Sequence, residues 1–438
     1  MTLISRLFLL LFFCAAPAAA ELRIDVTGAQ SEPTPIAFPE IAAASPAVQA
    51  IASDMARVIE SDLVRSGLFR IVNRDAYIQH LPSVNERPRF ADWQAIKAHA
   101  LIQAQLDETP EGHIKISFRL WDVFAQNQME DRVLSTTPEG WRKLAHRVAD
   151  ILYSRITGET GYFDTKIVFI SESGNQRKRT KRLAVMDSDG ANLRYLTDGA
   201  DMVLTPRFSP NMKEIVYFSY KDGAPRVYIM DLATNTSRLI GQFKGMTFAP
   251  RFSPDGRKLI MSLATRGNSD IYLYDLATDK TTQLTNNPAI DTSPSFAPDG
   301  GKIVFSSDRS GRQQLYVMDA DGGNVKRISF GEGTYATPVW SPRGDYIAFT
   351  KIKDGQFHIG LMRPDGSGER LIVNGWAVEA PSWAPNGRVL SYFRQEPWDE
   401  RGNGGKTKIY TIDVTGYHEQ IIPTPLDASS PAWSPLLH

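Results

Sequence analysis

The chain has 438 residues, with 49 Lys plus Arg against 49 Asp plus Glu. That balance argues against a nucleic-acid binder, which carries a basic excess. With 42% hydrophobic and 22% charged residues the chain as a whole is not disordered, and 32 Gly and 27 Pro exclude collagen-like and low-complexity classes.

Residues 1–20 read as a secretory signal peptide. Arg6 is the only charged side chain there, Leu7 to Phe13 form a short apolar core, and the small residues from Ala15 to Ala20 offer cleavage after Ala20. The apolar run is too short to span a bilayer. The one cysteine, Cys14, falls inside this signal behind Phe13, where a lipoprotein signal wants a small residue. The expectation is a mature chain without thiol chemistry, with a net charge of about −1 after loss of Arg6. No later segment reaches roughly 18 apolar residues, so a soluble exported protein of a bacterial periplasm is expected.

Residues 21–157 lack any repeat and read as an N-terminal α/β (α+β) domain. Leu22, Ile24 and Val26 alternate like a strand, and Pro33, Pro35 and Pro39 then interrupt the pattern. The segment from Glu21 to Glu40 is therefore expected to be an exposed terminus rather than a core element, either an edge strand or a detachable recognition arm. Ser45 and Pro46 start a helix as N-cap and first residue. Val48, Ile51, Met55, Val58, Ile59 and Leu63 follow at helical spacing, and Gly67 ends it. Leu68 to Val72 reads as a strand. Ala100 to Leu106 and His113 to Trp121 read as strands paired across a turn near Gly112. Thr137-Pro138-Glu139 starts a second helix with Trp141, Leu144, Val148, Ile151 and Leu152 on its apolar face, closed by Gly158. Residues 158–164 would be a linker.

Residues 165–438 carry a repeat. The pattern Pro, any residue, aromatic, Ser or Ala, Pro occurs six times, ending at Pro210, Pro254, Pro298, Pro342, Pro385 and Pro435. Behind each of the first five copies come a turn such as Asp255-Gly256 or Asn386-Gly387 and further short strands, including Ile215 to Ser219, Leu259 to Ser262 and Ile303 to Ser306. Four strands per copy at spacings of 44, 44, 44, 43 and 50 residues is the period of propeller blades. Three strands from Ile167 to Thr197 have no anchor before them, and the sixth anchor has no strands behind it. The two complement each other. The expected fold is a six-bladed β-propeller closed by its C-terminal strand, with Phe208, Phe252, Phe296, Trp340, Trp383 and Trp433 packed between blades.

Catalytic patterns are not found. There is no G-x-S-x-G or H-E-x-x-H, and the seven histidines are scattered. With three residues behind the last anchor, no hydrolase domain is expected there. His146 lies on the second predicted helix as a packed or surface residue. Gly405-Lys406-Thr407 ends like a phosphate loop, but Glu400 stands where its first glycine belongs, so a solvated loop is expected. Asp187-Ser188-Asp189-Gly190 and Asp319-Ala320-Asp321-Gly322 mimic the start of a calcium loop without its later acidic ligand, and read as turns. The basic run Arg177-Lys178-Arg179, continued by Lys181-Arg182, reads as a solvated loop.

The anchors, the stretch Asp62-Leu63-Val64-Arg65-Ser66-Gly67-Leu68-Phe69 and the interdomain stretch Thr157-Gly158-Glu159-Thr160-Gly161-Tyr162-Phe163 together resemble the TolB family of the Tol-Pal system. The resemblance covers essentially the whole mature chain. It implies a non-enzymatic periplasmic adaptor without cofactor or metal that binds the lipoprotein Pal at the mouth of the propeller channel. It also implies a mature N-terminal segment offered to TolA, and a role in outer-membrane integrity and constriction during cell division. Some bacteriocins use the Pal site in related bacteria. Carried over by position, the Pal-binding rim is Leu204, Thr205, Met246, Thr247, Phe248, Ala249, Asp291, Thr292, Ser293, Tyr335, Ala336, Thr337, Glu379 and Ala380, expected as loops on one rim. The TolA-binding arm is residues 21–33, beginning Glu21, Leu22, Arg23, Ile24, Asp25 and Val26. The alternatives are a propeller that binds a small ligand, or one that acts on peptide or glycan.

Overall fold

The computed structural model describes residues 22, 32–43, 45–175, 178–221, 223–241, 243–399 and 404–437. The expected signal peptide and the arm residues Glu21, Arg23, Ile24, Asp25 and Val26 lie outside the described residues.

Three prolines in seven residues conceal a core strand. Thr34–Ala37 (β1) runs parallel between Phe69–Ile71 (β3) and Ala100–Glu108 (β4), while Ala42–Ala43 (β2) pairs with β4 further along. Ile36, Ala37 and Phe38 are fully buried, so this part of the segment is a core element and not an exposed terminus. Pro35 is tolerated because its pairing with β4 begins only at Ile36 opposite Ala100, and its carbonyl still accepts the His99 N–H at 2.9 Å. The sheet continues through Ile114–Asp122 (β5) to Asn127–Thr136 (β6), both antiparallel.

Helix α1 spans Pro46–Arg65 and α3 spans Trp141–Thr157; both lie on one side of this sheet. Their apolar stripes, Met55, Ile59 and Leu63 against Leu144, Val148 and Leu152, join Ile102, Ile116 and Phe118 of the sheet in one core. Gly158 ends α3 in the left-handed conformation at φ 74°, where a side chain would cost most. Strand β6 and the short helix Phe90–Ala95 (α2) carry too few periodic apolar residues to be read from sequence.

The propeller holds, among the described residues, six four-stranded sheets. Blade one is Lys166–Ser173 (β7), Thr180–Asp187 (β8), Arg194–Tyr195 (β9) and, as its inner strand, Asp427–Trp433 from the far end of the chain. Ala432 sits opposite Val168 and Trp433 opposite Ile167, and the Ser434 N–H donates to the Lys166 carbonyl at 2.9 Å. The ring is closed as expected. The anchors also link neighbouring blades. The Trp383 indole donates to the Val339 carbonyl at 3.0 Å, and the Trp433 N–H donates to the Ser382 hydroxyl at 3.0 Å.

The other inner strands, Val203–Phe208, Met246–Phe252, Asp291–Phe296, Thr334–Trp340 and Ala377–Trp383, begin before their anchors. The residues expected as rim loops are thus the first halves of these strands.

The stretch between the domains is packed. Tyr162 and Phe163 are buried, and the N–H groups of Phe163 and Asp164 donate to the Asp150 carboxylate at 2.7 and 3.0 Å. Arg65 of α1 donates to the Ser188 carbonyl and hydroxyl, both at 2.9 Å, and Arg343 of blade five pairs with Glu159. The basic run is not simply solvated either. Arg179 turns inward between Glu172 and Asp427, the latter at 2.8 Å, and lies over the Trp398 ring. Arg177 lies outside the described residues.

Candidate functional site at the channel mouth

Every inner strand breaks its ladder at the same place. The register shifts between Leu204 and Arg207, Phe248 and Arg251, Thr292 and Ser295, Ala336 and Val339, Glu379 and Ser382, and Ser429 and Ala432. Each bulge contains the first anchor proline, which has no N–H to give to a ladder. The residue before it takes the left-handed conformation: Thr205 at φ 46°, Ala249 at 49°, Ser293 at 54°, Thr337 at 46°, Ala380 at 56° and Ser430 at 50°. None is glycine, and each costs roughly 1–2 kcal/mol of backbone strain. Such strain persists where the surrounding structure over-determines it, and it clusters at functional sites.

These six residues ring one end of the central channel and line a cavity of about 160 Å³ there, together with Arg207, Arg251 and Glu379. The Thr205 hydroxyl is buried with no hydrogen-bond partner among the described residues, whereas Thr337 donates to the Thr350 hydroxyl at 2.8 Å. Burial raises the Glu379 carboxyl above its ordinary pKa.

The rim residues named from sequence divide into two groups. Thr205, Ala249, Ser293, Thr337, Glu379 and Ala380 meet at this cavity. Leu204, Phe248, Thr292 and Ala336 are half-buried beside it, and Met246 is exposed. Thr247, Asp291 and Tyr335 are buried and brace the strands. Asp291 takes both its bonds from the Arg309 guanidinium, at 3.0 and 2.8 Å, and the Tyr335 hydroxyl sits between Lys351 at 2.7 Å and Glu369. Sequence reading missed Arg207, Arg251 and Ser430. Ser430 was accessible from the repeat phase, since it precedes the sixth anchor as Thr205 precedes the first.

A second polar cluster lies at the domain junction. The His146 Nδ1 is 2.6 Å from Asp62 Oδ2, and its Nε2 is 3.9 Å from Asp189 of the propeller. Burial works against the His146 charge, but the charge and hydrogen bond of Asp62 outweigh it and raise the imidazole pKa. Asp189 is held low: burial would raise it, and His146, Arg65, the Ala191 N–H and Arg142 together overcome that. Asp62, His146 and Asp189 bring ligand atoms within 4.8 Å of one another, as a metal site would. Each carboxylate already carries an arginine, Arg65 at 3.0 Å from Asp62 and Arg142 on Asp189, which makes the cluster an ion network joining the domains. Asp189 was read from sequence only as a turn residue.

Comparison with known proteins agrees with this architecture. Residues 22–129 match the TolB amino-terminal domain and residues 153–437 match the TolB beta propeller domain. The chain is 63% identical over 421 residues to the Tol-Pal system protein TolB of Paramagnetospirillum magneticum, covering 96% of this chain and 94% of that protein. It is also similar to the crystal structure of TolB from Acinetobacter baumannii, with a TM-score of 0.81 and 27% identity over 95% of this chain and all of that one. With both domains matched in order and the ring closed by its C-terminal strand, the chain belongs to the TolB family of Tol-Pal system proteins.

Proposed function

We propose that this chain is a periplasmic, non-enzymatic adaptor that grips the lipoprotein Pal at the channel mouth and offers its N-terminal arm, residues 21–33, to TolA. The observation that carries the reading is the ring of six strained residues around the mouth, in a chain of this family. A rigid rim with its backbone already committed loses little freedom on binding, which favours recognition of another polypeptide. Periplasmic residence rests on the family and on the signal peptide read from sequence. Among the described residues no helix is long and apolar enough to cross a membrane.

Calorimetry with the soluble domain of Pal tests the rim. Ala249→Arg and Thr292→Arg place a long cation at the mouth and should each weaken binding at least tenfold in a chain that still folds cooperatively. Unchanged affinity for both variants would move the site elsewhere. Removing residues 21–33 should abolish TolA binding and leave Pal binding measurable; retained TolA binding would reject the arm.

A further inference from the structure

The second position of each anchor faces the channel. It is Arg207 in blade two and Arg251 in blade three, and Ser295, Val339, Ser382 and Ala432 in the other four. All six line a cavity of about 340 Å³ at the end of the channel opposite the mouth. Arg207 and Arg251 also line the cavity at the mouth, so the two guanidinium groups stand between the two spaces.

These two cations have no counter-charge among the described residues. The polar contact Arg207 makes is with the carbonyl of its neighbour Pro206, at 2.6 Å. Burial pushes Arg207 down to about 10, and Arg251 too is lowered well below the ordinary arginine value, by burial and by Arg207 itself. Neither shift has an acidic cause. Glu379 shares the mouth cavity, but burial accounts for its raised pKa with no contribution from either arginine, so it is not their partner. Elsewhere in the ring the buried Arg388 pairs with Asp413, and the half-buried Arg309 and Arg179 pair with Asp291 and Glu172. Arg207 and Arg251 are both half-buried. An unpaired cation partly withdrawn from water still carries a cost, two side by side more so, and a guanidinium remains protonated in proteins. Arginine is also the side chain whose planar donors fit a carboxylate or phosphate with two bonds.

We propose that Arg207 and Arg251 form an oxyanion site inside the channel, reached from the mouth and filled by one carboxylate or phosphate group. The group is carried either by a free small anion or by an acidic side chain of a polypeptide seated on the rim. The site does not depend on the adaptor reading, because its geometry belongs to this chain alone.

The test titrates the purified protein, in phosphate-free buffer, with inorganic phosphate and with a pair of short peptides that differ only in one glutamate against glutamine. The wild type should bind phosphate. Arg207→Gln and Arg251→Gln should each weaken it at least tenfold, and the double variant should not bind. Phosphate should raise the melting temperature of the wild type and leave that of the double variant unmoved. Without phosphate the double variant should melt no lower than the wild type, since two repelling charges are gone. Arg207→Lys, which keeps charge without the planar fork, should retain part of the phosphate shift even if the glutamine variants fold poorly. A preference for the glutamate peptide that vanishes in the double variant assigns the site to a polypeptide side chain; equal binding of the two peptides alongside phosphate binding assigns it to a free anion. No binding of phosphate or of the glutamate peptide by the wild type, or equal binding by wild type and Arg207→Gln/Arg251→Gln, overturns the proposal. Pal binding measured in parallel keeps the two readings apart, because a lost rim partner with an intact phosphate site would reject only the adaptor.

Discussion

Ala249 and Ala380 hold left-handed backbone at φ 49° and 56°, and neither has a side-chain hydrogen bond to lose. An ordinary Ala→Gly change inside a strand destabilises, because glycine has more freedom to lose on folding. Here the left-handed penalty of roughly 1–2 kcal/mol outweighs that loss of about 0.5–1 kcal/mol, so Ala249→Gly and Ala380→Gly should each stabilise by up to about 1 kcal/mol. Urea unfolding decides it; a loss of about 1 kcal/mol would mean that these positions are not strained. The same positions show how far the site was legible. Thr205, Ala249, Ser293 and Thr337 were placed by spacing from an anchor, which repetition makes reliable. Asp291 and Tyr335 precede their anchors in the same way but are buried, since each meets a long cation, Arg309 in the turn after the next strand or Lys351 on the next strand. Spacing along the chain carries no sign of that partner. Arg207 and Arg251 stand inside the anchor, where the variable second position looks like free variation until the ring brings all six copies to one axis.

At the level of strands and helices, the blades were readable because each carries its own punctuation: an anchor, a turn, and short apolar runs. Strand β1 was not, because its four residues depend on β3 and β4 for burial and are surrounded by prolines. Strand β6 was missed for a related reason, since most of its side chains are exposed and only Met129 is buried. The closing strand is the element on which the ring depends. Trp433 is buried against Tyr162 of the interdomain stretch, and its indole donates to Thr165 at 2.8 Å. Trp433→Ala should cost about 3–5 kcal/mol, as for other large-to-small changes in a core. Ser382→Ala leaves the Trp433 N–H without its acceptor and should cost about 1–3 kcal/mol. Chemical denaturation of the two variants gives the ordering, with Trp433→Ala the more damaging; a near-neutral Trp433→Ala would mean that the last strand does not hold the ring shut.

Across the whole molecule, the two domains meet through charge as well as through Tyr162 and Phe163, and that charge titrates. His146 faces Asp62 and Arg65 on α1, Arg142 on its own helix and Asp189 on the propeller. Its pKa is raised above 6.5 in the folded chain. The stability it supplies is therefore complete below about 6.5 and is lost as pH rises through the folded value. Asp150, which receives the Phe163 and Asp164 N–H groups, is pushed up by burial to about 6 from 3.8, the two bonds offsetting only part of the cost. Its contribution is complete below the unfolded value and is lost as pH rises towards about 6, so the two windows adjoin with His146 above. Stability should decline from mildly acidic to mildly alkaline pH in two steps. His146→Gln should flatten the upper step and Asp150→Asn the lower one. The His146→Gln deficit should be about 3 kcal/mol in mildly acid solution, the lower end of what breaking a buried ion pair costs. It should shrink as pH rises, because the wild type loses the same interaction. Urea midpoints for wild type and both variants, taken at half-unit steps, read both windows. A His146→Gln deficit that stays constant across the series would show that the imidazole titrates alike in the folded and unfolded chain, so that its charge does not join the domains.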